Sequence, residues 1–124
     1  MDTFVKIFKA LGEPTRLRIL RILSVRPMYV CELESVLGIS QPRISQHLKI
    51  LKEASILRES KEAQKTFYML HGDIMEKTMQ GFQDFLRSDI ADLPEFNEES
   101  KRIAQLDKDC GVLSCKSGGK KNCS

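Results

Sequence analysis

Residues 30–51 hold two helical apolar patterns with only Gly38-Ile39-Ser40 between them. Val30, Leu33, Val36 and Leu37 recur at helical spacing before the break, and Ile44, Leu48 and Leu51 recur after it. Gly38 is suited to stop the first helix, and Ser40 to cap the second with a hydroxyl that takes a free backbone N–H. Pro42 falls in the first turn, where its missing N–H costs nothing. Two helices joined by three or four residues around a glycine form a helix-turn-helix. The rest of the chain must fit around that unit.

Upstream, Phe4, Ile7, Phe8 and Leu11 share one face of a helix over residues 3–11. Gly12 ends it, and Pro14 opens a second helix through Leu23 that is apolar around most of its circumference. That helix is expected at the centre of the core. Downstream the period changes. Residues 56–59 and 65–70 read as strands flanking the polar stretch 60–64, which is a hairpin without a glycine in its turn. Helical spacing returns at Ile74, Met75, Thr78, Met79, Phe82, Phe85 and Leu86, up to about Ile90. A weaker helical segment runs from Pro94 to about Leu106. The fold expected is mainly α with a small β-hairpin, a winged helix-turn-helix acting as a dimer. Residues 1–106 form the expected DNA-binding and dimerisation domain, and 107–124 a loose tail with little to bury.

Composition narrows the function classes. The 124 residues include no apolar run near the roughly 18 that a spanning helix needs. Residues 1–6 do not read as a secretion signal, so a cytoplasmic protein without membrane partners is expected. Residues 1–70 contain 12 Lys/Arg against 7 Asp/Glu, a net of +5, whereas residues 71–109 contain 5 against 10, a net of −5. A basic first half makes nucleic acid the first anionic partner to test. No phosphate loop and no Ser/His/Asp arrangement is evident, so an enzyme is not expected.

Two stretches carry a family resemblance. The first is Leu11-Gly12-Glu13-Pro14-Thr15-Arg16-Leu17-Arg18-Ile19-Leu20, and the second runs from Ser40-Gln41-Pro42-Arg43 through Ile44-Ser45-Gln46-His47 to Leu48-Lys49-Ile50-Leu51. Together they resemble the opening signature and the recognition helix of the ArsR/SmtB family of metal-responsive bacterial repressors, over about residues 3–90. Ala63 departs from the pattern, standing near where many members have glycine. With Ile44, Leu48 and Leu51 inward, the second helix shows Pro42, Arg43, Gln46 and Lys49 outward, with Gln41 and Ser45 at its N-terminal edge. Arg and Gln make paired hydrogen bonds to guanine and adenine edges in the major groove. Ser45 and Lys49 suit phosphates, and the helix N-terminus favours an anion. Lys61 and Lys65 fall on the wing, within reach of backbone or minor groove. His47, beside the apolar stripe, reads as a packing or phosphate-contacting residue rather than a metal ligand. The Met- and Phe-rich face of residues 73–90, with the Phe4/Phe8 helix, is the expected dimer interface, which is also where the family dimerises. Double-stranded operator DNA and a second copy of the chain are thus the expected partners.

Cys110, Cys115 and Cys123 lie within the last fifteen residues in a C-x4-C-x7-C pattern, among Lys116, Lys120 and Lys121 that favour thiolates. Three sulfur donors without histidine suit a soft centre. Trivalent arsenic or antimony takes three thiolates in a pyramid, while structural zinc wants a fourth ligand. The resemblance agrees with a C-terminal site. Many arsenic-responsive members carry Cys-x-Cys-x2-Cys before the recognition helix, and residues 29–34 retain only Cys31. Cys31 itself reads as a small, partly buried apolar residue. Zinc-responsive members place ligands on the helix matching 73–90, where no histidine follows His71. Other members carry three thiols near the C-terminus, as this chain does. The expected function is a repressor released from its operator when arsenite or antimonite binds the three thiolates. Alternatives are a cadmium- or lead-type thiolate sensor, a thiol redox switch, or a reductase using the tail thiols.

Overall fold

The computed structural model describes residues 1–116. Its elements are α1 (Asp2–Leu11), α2 (Pro14–Leu23), β1 (Met28–Tyr29), α3 (Val30–Leu37), α4 (Gln41–Glu53), β2 (Leu57–Glu62), β3 (Lys65–Leu70), α5 (Gly72–Arg87), α6 (Asn97–Ala104) and α7 (Cys110–Lys116). Short 3-10 turns cover Ile90–Asp92, Pro94–Phe96 and Leu106–Lys108. The helical order and the hairpin follow the sequence pattern.

The chain divides into two compact units, Met1–Gln83 and the part from Asp84 onward. In the first, Ile7, Ile19, Leu33, Ile44, Leu48, Leu51 and Ile56 are fully buried and hold α1 to α4 around the base of the wing. Burying each such side chain stabilises the fold by about 1.5–3 kcal/mol. This core seats α4 by its apolar stripe and leaves its opposite face in water. Gly38, at φ 67°, ends α3 in the left-handed conformation that turns the chain into α4.

Two inward assignments on α3 fail. Val36 is 59% exposed, whereas Leu33 is fully buried and Val30 and Leu37 are half-buried. Cys31, expected to be partly buried, is an exposed free thiol. Ser40 also differs: it occupies the N-cap of α4, but its side chain makes no capping bond.

The wing has a third strand. The sheet order is β1-β3-β2, all antiparallel, with Met28 opposite Tyr68 and Tyr29 opposite Phe67. In the hairpin Glu62 pairs with Lys65, leaving Ala63 and Gln64 as a two-residue turn. Ala63 has φ 57° and Gln64 does not share a positive φ, the arrangement of a type II′ turn, where glycine is usual.

On α5, Phe82 packs edge-on against Phe8 (ring centroids 4.9 Å) and Phe4 (5.9 Å). Gly81 permits the approach of α1, since a Cβ there would stand 3.2 Å from the Phe4 ring. In the second unit Phe85 meets Phe96 at 5.8 Å. Residues 110–116, expected as part of a loose tail, form helix α7. No helix is long and apolar enough to cross a membrane among the described residues.

Candidate nucleic-acid interface

The exposed face of α4 is where the sequence places the DNA-reading side chains. Gln41, Pro42, Arg43, Gln46 and Lys49 are all exposed, and Ser45 is half-buried at their edge. Gln41 Nε2 donates to Ser45 Oγ at 3.4 Å, one turn away on the same face. With Pro42 lacking an N–H and Ser40 not capping, the first-turn N–H groups of Gln41 and Arg43 point out of the helix without a side-chain acceptor. That end of a 13-residue helix favours a phosphate oxygen.

Charge on this side of the molecule is sorted. Arg43, Lys49 and Lys61 form no ion pair among the described residues. Three carboxylates on α3 and β2 are occupied. Glu59 accepts from Lys52 at 2.5 Å, and that hydrogen bond holds its carboxyl below the usual range. Glu62 accepts from the Tyr29 hydroxyl at 3.2 Å. Glu32 accepts from the Tyr29 backbone N–H at 3.0 Å and from Arg26 at 2.6 Å, which likewise keeps it ionised to lower pH. The remaining unpaired cations face solvent, as a phosphate-binding surface requires. Lys61 and Lys65 both lie exposed near the tip of the wing. Lys65 is steadied by the Tyr29 ring, whose centroid is 5.7 Å from its Nζ.

His47 lies on the flank of α4, between the reading face and the apolar stripe, and is half-buried against α2. Its Nδ1 lies 3.4 Å from Arg16 Nη1 and 3.8 Å from Glu13 Oε2. Arg16 also donates to the Ala10 and Lys9 carbonyls at the end of α1, and Glu13 caps α2 by accepting from the Arg16 N–H at 2.9 Å. That backbone hydrogen bond is the main cause of a lowered Glu13 pKa. Sequence reasoning took Glu13 and Arg16 as part of a signature and missed what they do. The signal was present: a Glu before Pro at a helix start is a capping position, and an Arg three residues on follows it.

A sequence model described as "Bacterial regulatory protein, arsR family" matches residues 13–59, the stretch from the α2 cap to the start of the wing. The arsenic resistance transcriptional regulator ArsR1 of Pseudomonas putida is 35% identical over 100 residues, covering 74% of this chain and 78% of that protein. The chain belongs to the ArsR family. A cadmium resistance regulatory protein CadC homologue of Staphylococcus aureus is 30% identical over 76 residues, covering 60% of this chain and 63% of that one. An ArsR-like transcriptional regulator from Rhodococcus sp. RHA1 shares the winged helix-turn-helix fold, with a TM-score of 0.65 at 21% identity over 86% of this chain and 92% of that one. An ArsR-family chain is a DNA-binding transcriptional repressor and not an enzyme.

The thiols are less gathered than the DNA-reading groups. Cys110 opens α7, and Cys115, near the end of α7, is an exposed free thiol. Five residues apart on a helix, the two stand roughly 140° apart around its axis. Cys123 lies outside the described residues. Among those described, no three His, Cys, Asp or Glu side chains converge as a metal site.

Proposed function

We propose that this ArsR-family repressor acts as a homodimer on operator DNA and is released when arsenite or antimonite binds Cys110, Cys115 and Cys123. The observation that carries the DNA half is the α4 face: Arg43 and Gln46 exposed, Lys49 unpaired, and the first turn uncapped. In this reading residues 1–106 bind DNA and dimerise, and residues 107–124 sense. The surface of α5 supports the dimer. Phe82 is used within the chain, but Met79 at 39% and Leu86 at 65% exposure stay open to a second copy.

The donor chemistry of the sensor fits a trivalent metalloid: three thiols, nearby lysines and no histidine. Arsenical resistance repressors stand among the relatives of the chain, which supports that ligand class. As a helix, α7 holds Cys110 and Cys115 too far around its axis to share one ion. Capture therefore requires unwinding of α7, so ligand binding and refolding of this segment are one event. Coupling to DNA of about 1–3 kcal/mol is enough to empty an operator.

Titration of the reduced protein on a labelled duplex tests the reading. Arsenite should release the DNA at concentrations where magnesium or calcium has no effect. Full retention of DNA at saturating arsenite contradicts the sensor. Three cysteines within the last fifteen residues favour one second reading, a thiol redox switch. In that case oxidant alone releases DNA and arsenite does nothing to the reduced protein. Cadmium in the same titration separates a cadmium- or lead-type sensor.

A further inference from the structure

Ile44, Leu48 and Leu51 fix how deeply α4 sits, since each is fully buried. A single apolar stripe resists lifting more than it resists rolling about the helix axis. Two polar contacts oppose a roll: Lys52 with Glu59 near the C-terminal end of α4, and His47 on the flank beside Arg43 and Gln46. Arg16 Nε and Nη2 are committed to the carbonyls of Ala10 (2.6 Å) and Lys9 (3.3 Å), where the end of a helix favours a cation. This fixes the guanidinium, and its Nη1 meets His47 Nδ1 at 3.4 Å. Nδ1 is therefore the ring nitrogen that faces the group. Glu13, held by the Arg16 N–H at 2.9 Å, closes the group with its carboxylate 3.8 Å from the same ring nitrogen.

We propose that Glu13, Arg16 and His47 form a positioning bracket for sequence reading: they set the roll of α4 and so aim Arg43 and Gln46 at base edges. The inference rests on the DNA-binding reading and adds the residues that control its specificity. Arg43 lies one turn before His47, and Gln46 immediately precedes it. A roll of about 20° moves the tip of a side chain at the helix surface by roughly 2 Å. Paired hydrogen bonds to a base do not survive such a shift. Lysine contacts to phosphate, made by a flexible stem to a diffuse charge, do survive it. Loss of the bracket should therefore remove discrimination while sparing non-specific affinity.

The test uses the full-length reduced protein, a duplex selected by it from a randomised pool, and a shuffled duplex of the same composition. For His47→Leu, affinity for the selected duplex should fall at least tenfold while the shuffled duplex changes less than twofold. Arg16→Lys keeps the charge but cannot reach all three acceptors, and should do the same. His47→Asn, whose amide oxygen can stand near the Nδ1 position, should recover most of the discrimination. Adding His47→Leu to the double variant Arg43→Ala/Gln46→Ala should cost less than threefold more, because both aimed groups are already gone. Equal weakening on both duplexes would mean only a folding role, and unchanged discrimination in His47→Leu would overturn the bracket alone. A wild-type protein that selects no duplex would overturn the operator reading and this inference with it.

Discussion

At Arg43 and Gln46 the chemistry of the side chain decides which experiment each residue answers to. Arg43→Ala or Gln46→Ala should cost about 1–3 kcal/mol on the preferred duplex and relax preference at one base position. Lys49→Ala or Lys61→Ala should weaken binding on any sequence and reduce the slope of affinity against salt by roughly one ion. Binding isotherms at several salt concentrations on two duplexes separate the classes; identical behaviour of all four variants would contradict the assignment. The exposure of these residues was legible because Ile44, Leu48 and Leu51 define the buried side of α4 without ambiguity. Around α3 the apolar spacing overstates the buried face. Val36 falls roughly 90° from the line shared by Val30, Leu33 and Leu37, and Cys31 roughly 130° from it, so the helix turns both outward. The His47 contact depends on a residue 31 positions away, and no local pattern encodes it.

Helices α1 to α4 were readable as elements because each carries its own stop or start, such as Gly12, Pro14, Gly38 and Pro42. Strand β1 was not, since two residues after Pro27 are too few to show alternation and owe their structure to pairing with β3. Helix α7 was missed for a related reason: glycine and polar content masks a helix of seven residues. The wing gives a sharp element-level test. Ala63 holds φ 57°, which strains an L-residue by roughly 1–2 kcal/mol. Ala63→Gly removes that strain at an unfolded-state cost of about 0.4–1 kcal/mol. The net effect should be a small rise in the denaturant midpoint, and Ala63→Val should lower it. A midpoint that falls for Ala63→Gly would show that the turn is not type II′.

Assembly and pH response belong to the whole molecule. If Met79 and Leu86 meet a second copy, Leu86→Glu should shift the sedimentation of the micromolar protein from dimer to monomer with its helical content kept. A wild-type monomer at that concentration would contradict the proposed dimer. Acid stability follows from Glu13, Glu32 and Glu59, whose hydrogen bonds hold their carboxyls below the usual range. A lowered folded pKa contributes stability above the unfolded value of about 4.3, and that contribution is lost as pH falls through the folded values. Lys52 is raised by its bond to Glu59, so its contribution is present below about 10.4 and lost at higher pH. The denaturant midpoint should be flat from about pH 6 to 8 and decline in acid, less steeply for Glu59→Gln. An unchanged acid slope in Glu59→Gln would deny the pair a role.

The central claim is that one metalloid ion held by three C-terminal thiolates empties the operator. The most direct measurement is arsenite titration of reduced protein–DNA complexes, read by anisotropy, for the wild type and for Cys31→Ser, Cys110→Ser, Cys115→Ser and Cys123→Ser. All five should bind DNA alike before arsenite is added, because no cysteine is part of α4. Wild type and Cys31→Ser should release DNA at the same arsenite concentration, and each of the other three should hold it, having lost one strong bond and much of the chelate advantage. If the three C-terminal variants release normally, or if Cys31→Ser alone stays bound, the C-terminal site is wrong.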